Sequence, residues 1–168
     1  MKKIFVLILP VILVFGFVSC MKNTPVSSTP SCTSKPVAAD SAALIKFAGD
    51  SIPLTADTTG LYYHIIDSGN STKPTASSYL NVTYKAKLMD NFTFDSATNS
   101  YLSGATLSNL IAGWQIGLPK IGVGGHIQLF IPSALAWGCI GVVNMQSGLV
   151  TVPPDAPVFF DVQLLGIN

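Results

Sequence analysis

The sequence predicts an α+β domain with an antiparallel β-sheet. Three observations carry this. The run from Tyr79 to Leu88 alternates, with Leu80, Val82, Tyr84, Ala86 and Leu88 on one side and Asn81, Thr83, Lys85 and Lys87 on the other. The run from Val158 to Leu165 is rich in Val, Phe and Leu and reads as a closing strand. Between these two, Asn109 to Ile116 repeats apolar residues at helical spacing. Several strands around one short helix point to the α+β class, and no internal repeat is visible.

The chain has 168 residues, room for one ordinary domain with appendages. Charged residues make up 10% of it, against about 25% in typical soluble domains. All nine basic residues are Lys and all eight acidic residues are Asp, so Arg and Glu are absent. This excludes an Arg clamp on phosphate or carboxylate and any Glu-based acid/base pair. A basic nucleic-acid surface is unsupported at a formal charge of +1.

The elements follow in order. Lys2 and Lys3 precede an apolar run from Ile4 to Val18, which ends at Ser19-Cys20. This is the layout of an export signal. The run is about fifteen residues long and contains Pro10, short of the roughly 20 that a spanning helix needs. With Cys at its end it resembles the lipobox of bacterial lipoproteins. That resemblance implies a signal peptide over 1–19, lipidation at Cys20, and a domain held outside the cytoplasm on a membrane of the cell envelope. The alternative is an ordinary secretory signal with Cys20 as a bystander. Removing Lys2 and Lys3 leaves seven Lys against eight Asp.

Residues 20–59 are expected to comprise the lipidated Cys, a tether rich in Ser, Thr and Pro, a short helix over Asp40–Ala48, and a linker over 50–59. Asp40 or Ser41 is the expected N-cap, and Gly49 the stop. An exported chain permits disulfides. Cys32 lies in the tether and Cys139 in an expected loop, and this placement favours two free thiols.

The domain is expected over 60–168. Leu61 to Ile66 is a strand closed by Asp67-Ser68-Gly69-Asn70, and Met89-Asp90-Asn91 is a turn before a strand starting at Phe92. Ser108 is the expected cap of the Asn109–Ile116 helix, which Gly117 and Pro119 end. Ile127 to Ile131 is a strand, and 138–150 an uncharged loop. His64 and His126 fall in strand-like runs without a ligand cluster, so a structural role is expected. Gly122-Val123-Gly124-Gly125 lacks dinucleotide spacing and reads as a tight turn. No HExxH, GxSxG or phosphate loop occurs.

What remains is an aromatic set in ordered contexts: Tyr84 in VTYKAKL (82–88), Phe94-Asp95 in FTFDSA (92–97), Trp114 in LIAGWQIGL (110–118), Trp137 in GGHIQLFIPSALAWG (124–138) and Phe160 in VPPDAPVFFDVQLL (152–165). Together these runs resemble the FKBP-type peptidyl-prolyl isomerases over residues 60 to 168. The resemblance implies a bent antiparallel sheet wrapped around one short helix, and a pocket that binds X-Pro segments of exported proteins. Trp114 would be its floor, with Tyr84, Phe94, Trp137 and Phe160 as walls and Asp95 as the polar group among them. Ile111, Leu110 and Val152 would contact substrate, with the Ile111 N–H donating to a substrate carbonyl. No cofactor or metal is implied. The family commonly has Tyr where Trp137 stands, an acidic residue at Ala134, and a shorter loop after Gly138. These departures motivate the alternative of a non-catalytic binding module or chaperone with the same fold.

Overall fold

The alternation over Tyr79–Leu88 becomes a ten-residue inner strand of a six-stranded sheet. A computed structural model describes residues 32–168; the signal segment 1–19, Cys20 and the tether up to residue 31 lie outside the described residues. The strands are β1 (Thr55–Ala56), β2 (Tyr62–Asp67), β3 (Tyr79–Leu88), β4 (Thr93–Thr106), β5 (His126–Ile131), β6 (Val142–Val143), β7 (Val150–Val152) and β8 (Val158–Ile167). The helices are α1 (Ser41–Ala48) and α2 (Ala112–Gly117). The main sheet runs β1-β2-β5-β8-β3-β4 with every pair antiparallel, and β6-β7 form a separate hairpin.

Strand alternation divides the two faces. Leu80, Val82 and Ala86 of β3, Ile127, Leu129 and Ile131 of β5, and Phe160, Val162 and Leu164 of β8 share one core with Trp114 and Leu118. On the other face Phe130 and Phe159 pack against Leu44, Ala48 and Phe47 of α1. The helix α2 approaches β5 closely because two glycines one turn apart face it. A Cβ on Gly113 would lie 2.5 Å from Ile131 Cγ2, and one on Gly117 would overlap Leu129 Cδ2.

Several expectations are corrected. The expected Asn109–Ile116 helix is broken in two. A 3₁₀ turn spans Leu107–Asn109, Leu110 and Ile111 are extended, and α2 starts only at Ala112. Thr106 and Asn109 cap the turn reciprocally, in place of Ser108. Asp40 precedes α1 but caps nothing. Its buried carboxylate instead accepts from the Ser133 N–H at 2.8 Å and the Ser133 hydroxyl at 2.6 Å. Within the expected linker 50–59, β1 pairs with the edge of β2. Within the expected loop 138–150, β6 and the start of β7 build a hairpin. Cys32 and Cys139 are not free thiols. They form a disulfide with Cα atoms 5.7 Å apart across 107 residues of sequence.

The glycine run at 122–125 is a packing device. A Cβ on Gly122 would overlap the Asn70 carbonyl oxygen, and Gly124 has φ +86°. Irregular pairing bends the β3–β4 ribbon. Between the pairs Tyr79–Thr106 and Asn81–Tyr101, β3 contributes one residue and β4 contributes four. Such bulges increase local twist and re-aim side chains. Residues 32–168 form a single compact unit. Among them no helix is long and apolar enough to cross a membrane.

Candidate active site

Tyr84 on β3, Trp114 on α2 and Phe160 on β8 meet on the core face of the sheet. Ring centroids lie 5.5 Å apart for Tyr84–Trp114 and 5.4 Å for Trp114–Phe160, with interplanar angles of 86° and 87°. Phe94 and Trp137 extend the set. Phe94 meets Phe160 and Trp137 edge-on, each at 5.9 Å, and Trp137 lies 6.4 Å from Phe160. Edge-to-face packing of this kind fixes ring orientation and adds about 0.5–1.5 kcal/mol per pair beyond area burial. Trp114 is 4% exposed and sits at the base, whereas Trp137 is half-buried at the side.

Tyr84, Trp114, Trp137 and Phe160 line a cavity of about 150 Å³, bounded also by Asp95, Leu102, Leu110 and Ile111. Drug-sized ligands occupy pockets of about 300–1,000 Å³, so this one suits a single small ring. A larger open hollow of about 560 Å³ lies over Thr83, Lys85, Lys87, Asp161 and Gln163. By alternation these side chains belong to the outer face of the sheet, away from the aromatic set. They are polar and do not converge on a common point with it.

The polar part of the aromatic cavity is small. The Tyr84 hydroxyl donates to Asp95 Oδ2 at 2.7 Å. Burial raises the Tyr84 hydroxyl's pKa above its ordinary value, and the bond to the Asp95 carboxylate raises it further. Tyr84 therefore stays a neutral donor throughout the physiological range, and the carboxylate is held at the wall.

At the rim, the break between the 3₁₀ turn and α2 leaves Ile111 extended, at φ −57° and ψ 147°. Its carbonyl accepts from the N–H of Trp114 at 2.9 Å. Its own N–H makes no hydrogen bond among the described residues. Gln115 holds this segment from below. Its side-chain amide donates to the Leu110 carbonyl at 2.6 Å and the Ser108 carbonyl at 3.2 Å.

The structure thus brings together Tyr84, Asp95, Leu110, Ile111, Trp114, Trp137 and Phe160 around one cavity. Phe94 stands one layer back, touching it through Phe160 and Trp137. Val152 is 1% exposed, pairs with Val142, and does not line the cavity. Leu102 lines it although the sequence did not single it out. It lies in the irregular stretch of β4, where strict alternation fails as a guide. Gln115 was also missed; a polar residue one position after Trp114 carried no signal of its backbone partners.

An antiparallel sheet packed over a short helix, with an aromatic cavity and one N–H without an internal partner beside it, defines an α+β domain with a small apolar candidate site. Comparison with known proteins makes this specific. The family of FKBP-type peptidyl-prolyl cis-trans isomerases matches residues 70–165, and the chain belongs to it. It is 38% identical over 114 residues to the FKBP-type peptidyl-prolyl cis-trans isomerase FkpA of Escherichia coli strain K12, covering 66% of this chain and 38% of that protein. A probable FkpA of Neisseria meningitidis is 33% identical over 122 residues, covering 72% of this chain and 42% of that protein. The chain therefore spans about two fifths of the length of these relatives. The crystal structure of FkpA from Escherichia coli superimposes with a TM-score of 0.60 at 32% identity, covering 79% of this chain and 59% of that one. A peptidyl-prolyl cis-trans isomerase of Pseudomonas syringae shares the fold with a TM-score of 0.63 at 24% identity, covering 81% of this chain and 98% of that one.

Proposed function

We propose that this chain catalyses cis–trans isomerisation of X-Pro bonds in exported proteins, working from a lipid anchor at Cys20 in the bacterial cell envelope. One observation carries the activity: the aromatic cavity floored by Trp114, with the unengaged N–H of Ile111 at its rim.

Rotation about a peptide bond is opposed by resonance, with a barrier of roughly 18–20 kcal/mol. No bond is made or broken, so no nucleophile, metal or cofactor is required. The planar ground state carries charge separated across the amide, and water stabilises it. The twisted transition state carries less. Transfer into an apolar bowl therefore favours the transition state over the ground state. The proline ring seats against Trp114 between Tyr84 and Phe160. The Ile111 N–H holds a substrate carbonyl while the bond turns. Asp95, hydrogen-bonded by the Tyr84 hydroxyl, offers a carboxylate in the cavity wall. The partners are proline-containing segments of exported chains. The near-neutral surface gives nucleic acid no foothold.

The anchor rests on Lys2, Lys3, the apolar run and Cys20. Expressed in a bacterium, the protein should take up labelled fatty acid and sediment with membranes. Cys20→Ala should abolish both, and unchanged retention would refute the anchor. For the activity, the protein should speed refolding of an exported protein whose slow phase is X-Pro isomerisation. No acceleration of that phase by folded protein counts against the enzyme.

A second reading is a non-catalytic binding module or chaperone. It is favoured by the segment 138–151 around the β6–β7 hairpin, where Met145 is 95%, Ile140 76% and Leu149 70% exposed. Suppression of client aggregation without acceleration of the proline-limited phase would select it.

A further inference from the structure

Trp137 supplies one wall of the cavity from a segment that has no place in the main sheet. Its own turn bonds, such as the Gly138 N–H to the Ser133 carbonyl at 2.8 Å, are joined by a set of contacts from outside the 60–168 region. At the front of the segment, the buried Asp40 carboxylate accepts from both the N–H and the hydroxyl of Ser133, at 2.8 and 2.6 Å. At the back, Cys32 is bonded to Cys139. Ser34 Oγ also accepts from the Cys139 N–H at 3.2 Å. Residue 138 is glycine with φ +53°, and a Cβ there would overlap the Ser34 hydroxyl. The next strap residue, Lys35, donates its N–H to Asp155 Oδ1 at 3.4 Å, and the Asp155 N–H donates to the Gly138 carbonyl at 2.7 Å. Residues 32–40 therefore grip the Trp137 segment four residues before the indole and two residues after it.

We propose that residues 32–40 form a positioning strap for Trp137, so that Cys32, Ser34 and Asp40 set the fit of the proline-binding cavity without touching its occupant. The physical reason is the shape of the wall. Trp137 meets Phe94 and Phe160 but is itself only half-buried. The strap adds backbone restraint on both sides of Trp137 to the ring contacts that the sheet supplies. A wall left free to move loses edge-to-face contact with Phe94 and widens the cavity. This weakens substrate binding in the ground and transition states together. The cost then falls on KM more than on kcat.

This inference rests on the isomerase reading for its kinetic arm, but its spectroscopic arm does not. The oxidised protein is compared with a Cys32→Ser/Cys139→Ser variant and with Ser34→Ala, which keeps the disulfide. Kinetic constants are measured on a Leu-Pro peptide, acrylamide quenching of tryptophan emission is recorded, and circular dichroism confirms folding. Trp114 is 4% exposed, so the quencher reports chiefly on Trp137. The double variant should raise the quenching constant at least twofold and KM about threefold or more, with kcat changed less than about twofold. Ser34→Ala should move both in the same direction by less. Should the double variant fail to fold, Ser34→Ala decides alone. A lowered melting temperature with quenching and KM unchanged means a merely structural strap and overturns the proposal. So does a rise in quenching with KM unchanged. An inactive wild-type protein whose quenching still responds would overturn the isomerase reading and leave the strap's hold on Trp137 standing.

Discussion

Tyr84 and Asp95 stand diagonally on adjacent strands, and their 2.7 Å bond is the main polar contact in an otherwise apolar wall. Removing the carboxylate by Asp95→Ala should lower kcat/KM about tenfold while changing stability by only about 1 kcal/mol, because the Tyr84 hydroxyl can turn to solvent. Unchanged kcat/KM would remove Asp95 from the site. A second residue-scale effect concerns pH. The Lys120 ammonium donates to Asp57 at 2.6 Å, the Thr59 N–H donates at 3.0 Å, and together they lower the Asp57 pKa from 3.8 to about 2. A lowered folded pKa contributes stability that is complete above the unfolded value and lost as pH falls through the folded one. The melting-temperature advantage of wild type over Asp57→Asn should therefore be constant near neutrality and shrink between about pH 4 and about pH 2. An advantage that persists unchanged to pH 2 would contradict the pairing.

At the scale of elements, the close seat of α2 on β5 depends on Gly113 and Gly117. Gly117→Ala gains helix propensity but forces a methyl into Leu129, so a net loss of about 1–3 kcal/mol is expected in denaturant unfolding. A stabilised variant would show that the helix has room to shift. The same elements show what the sequence could and could not tell. The strand β3 was legible to the residue, because apolar and polar residues alternate along it, even though Asn81 on the polar side is buried. The turn at Met89–Asn91 was legible for its Asp-Asn chemistry; Asn91 has φ +69° and Asp90 accepts from the Phe92 N–H. The break at Leu110–Ile111 was not, because apolar spacing continued across it while the Thr106–Asn109 cap ended one turn and Gln115 held the next. The two hairpin strands β6 and β7 were hidden because strands of two and three residues are too short to show alternation.

At the scale of the whole molecule, the fold and most of the cavity followed from the sequence because aromatic residues fell in ordered local contexts. Tyr84, Trp114 and Phe160 each sit in an element whose own pattern directs the side chain inward. What did not follow was long-range. The Cys32–Cys139 bond and the Asp40–Ser133 contacts join positions 107 and 93 residues apart, and no local pattern encodes such a meeting. The chain-entropy account assigns about 4.7 kcal/mol to cross-linking a loop of about 100 residues. The low charge of the chain is consistent with the apolar cavity and the exposed hairpin, and isomerisation asks for neither Arg nor Glu. The central claim is that this cavity turns X-Pro bonds. Uncatalysed exchange takes tens to hundreds of seconds. The most direct measurement is therefore NMR exchange spectroscopy on a Leu-Pro peptide with substoichiometric oxidised protein. Cis–trans exchange peaks on a sub-second timescale, lost in Trp114→Ala protein that remains folded, are the expected result. Exchange no faster than in buffer alone would contradict the account.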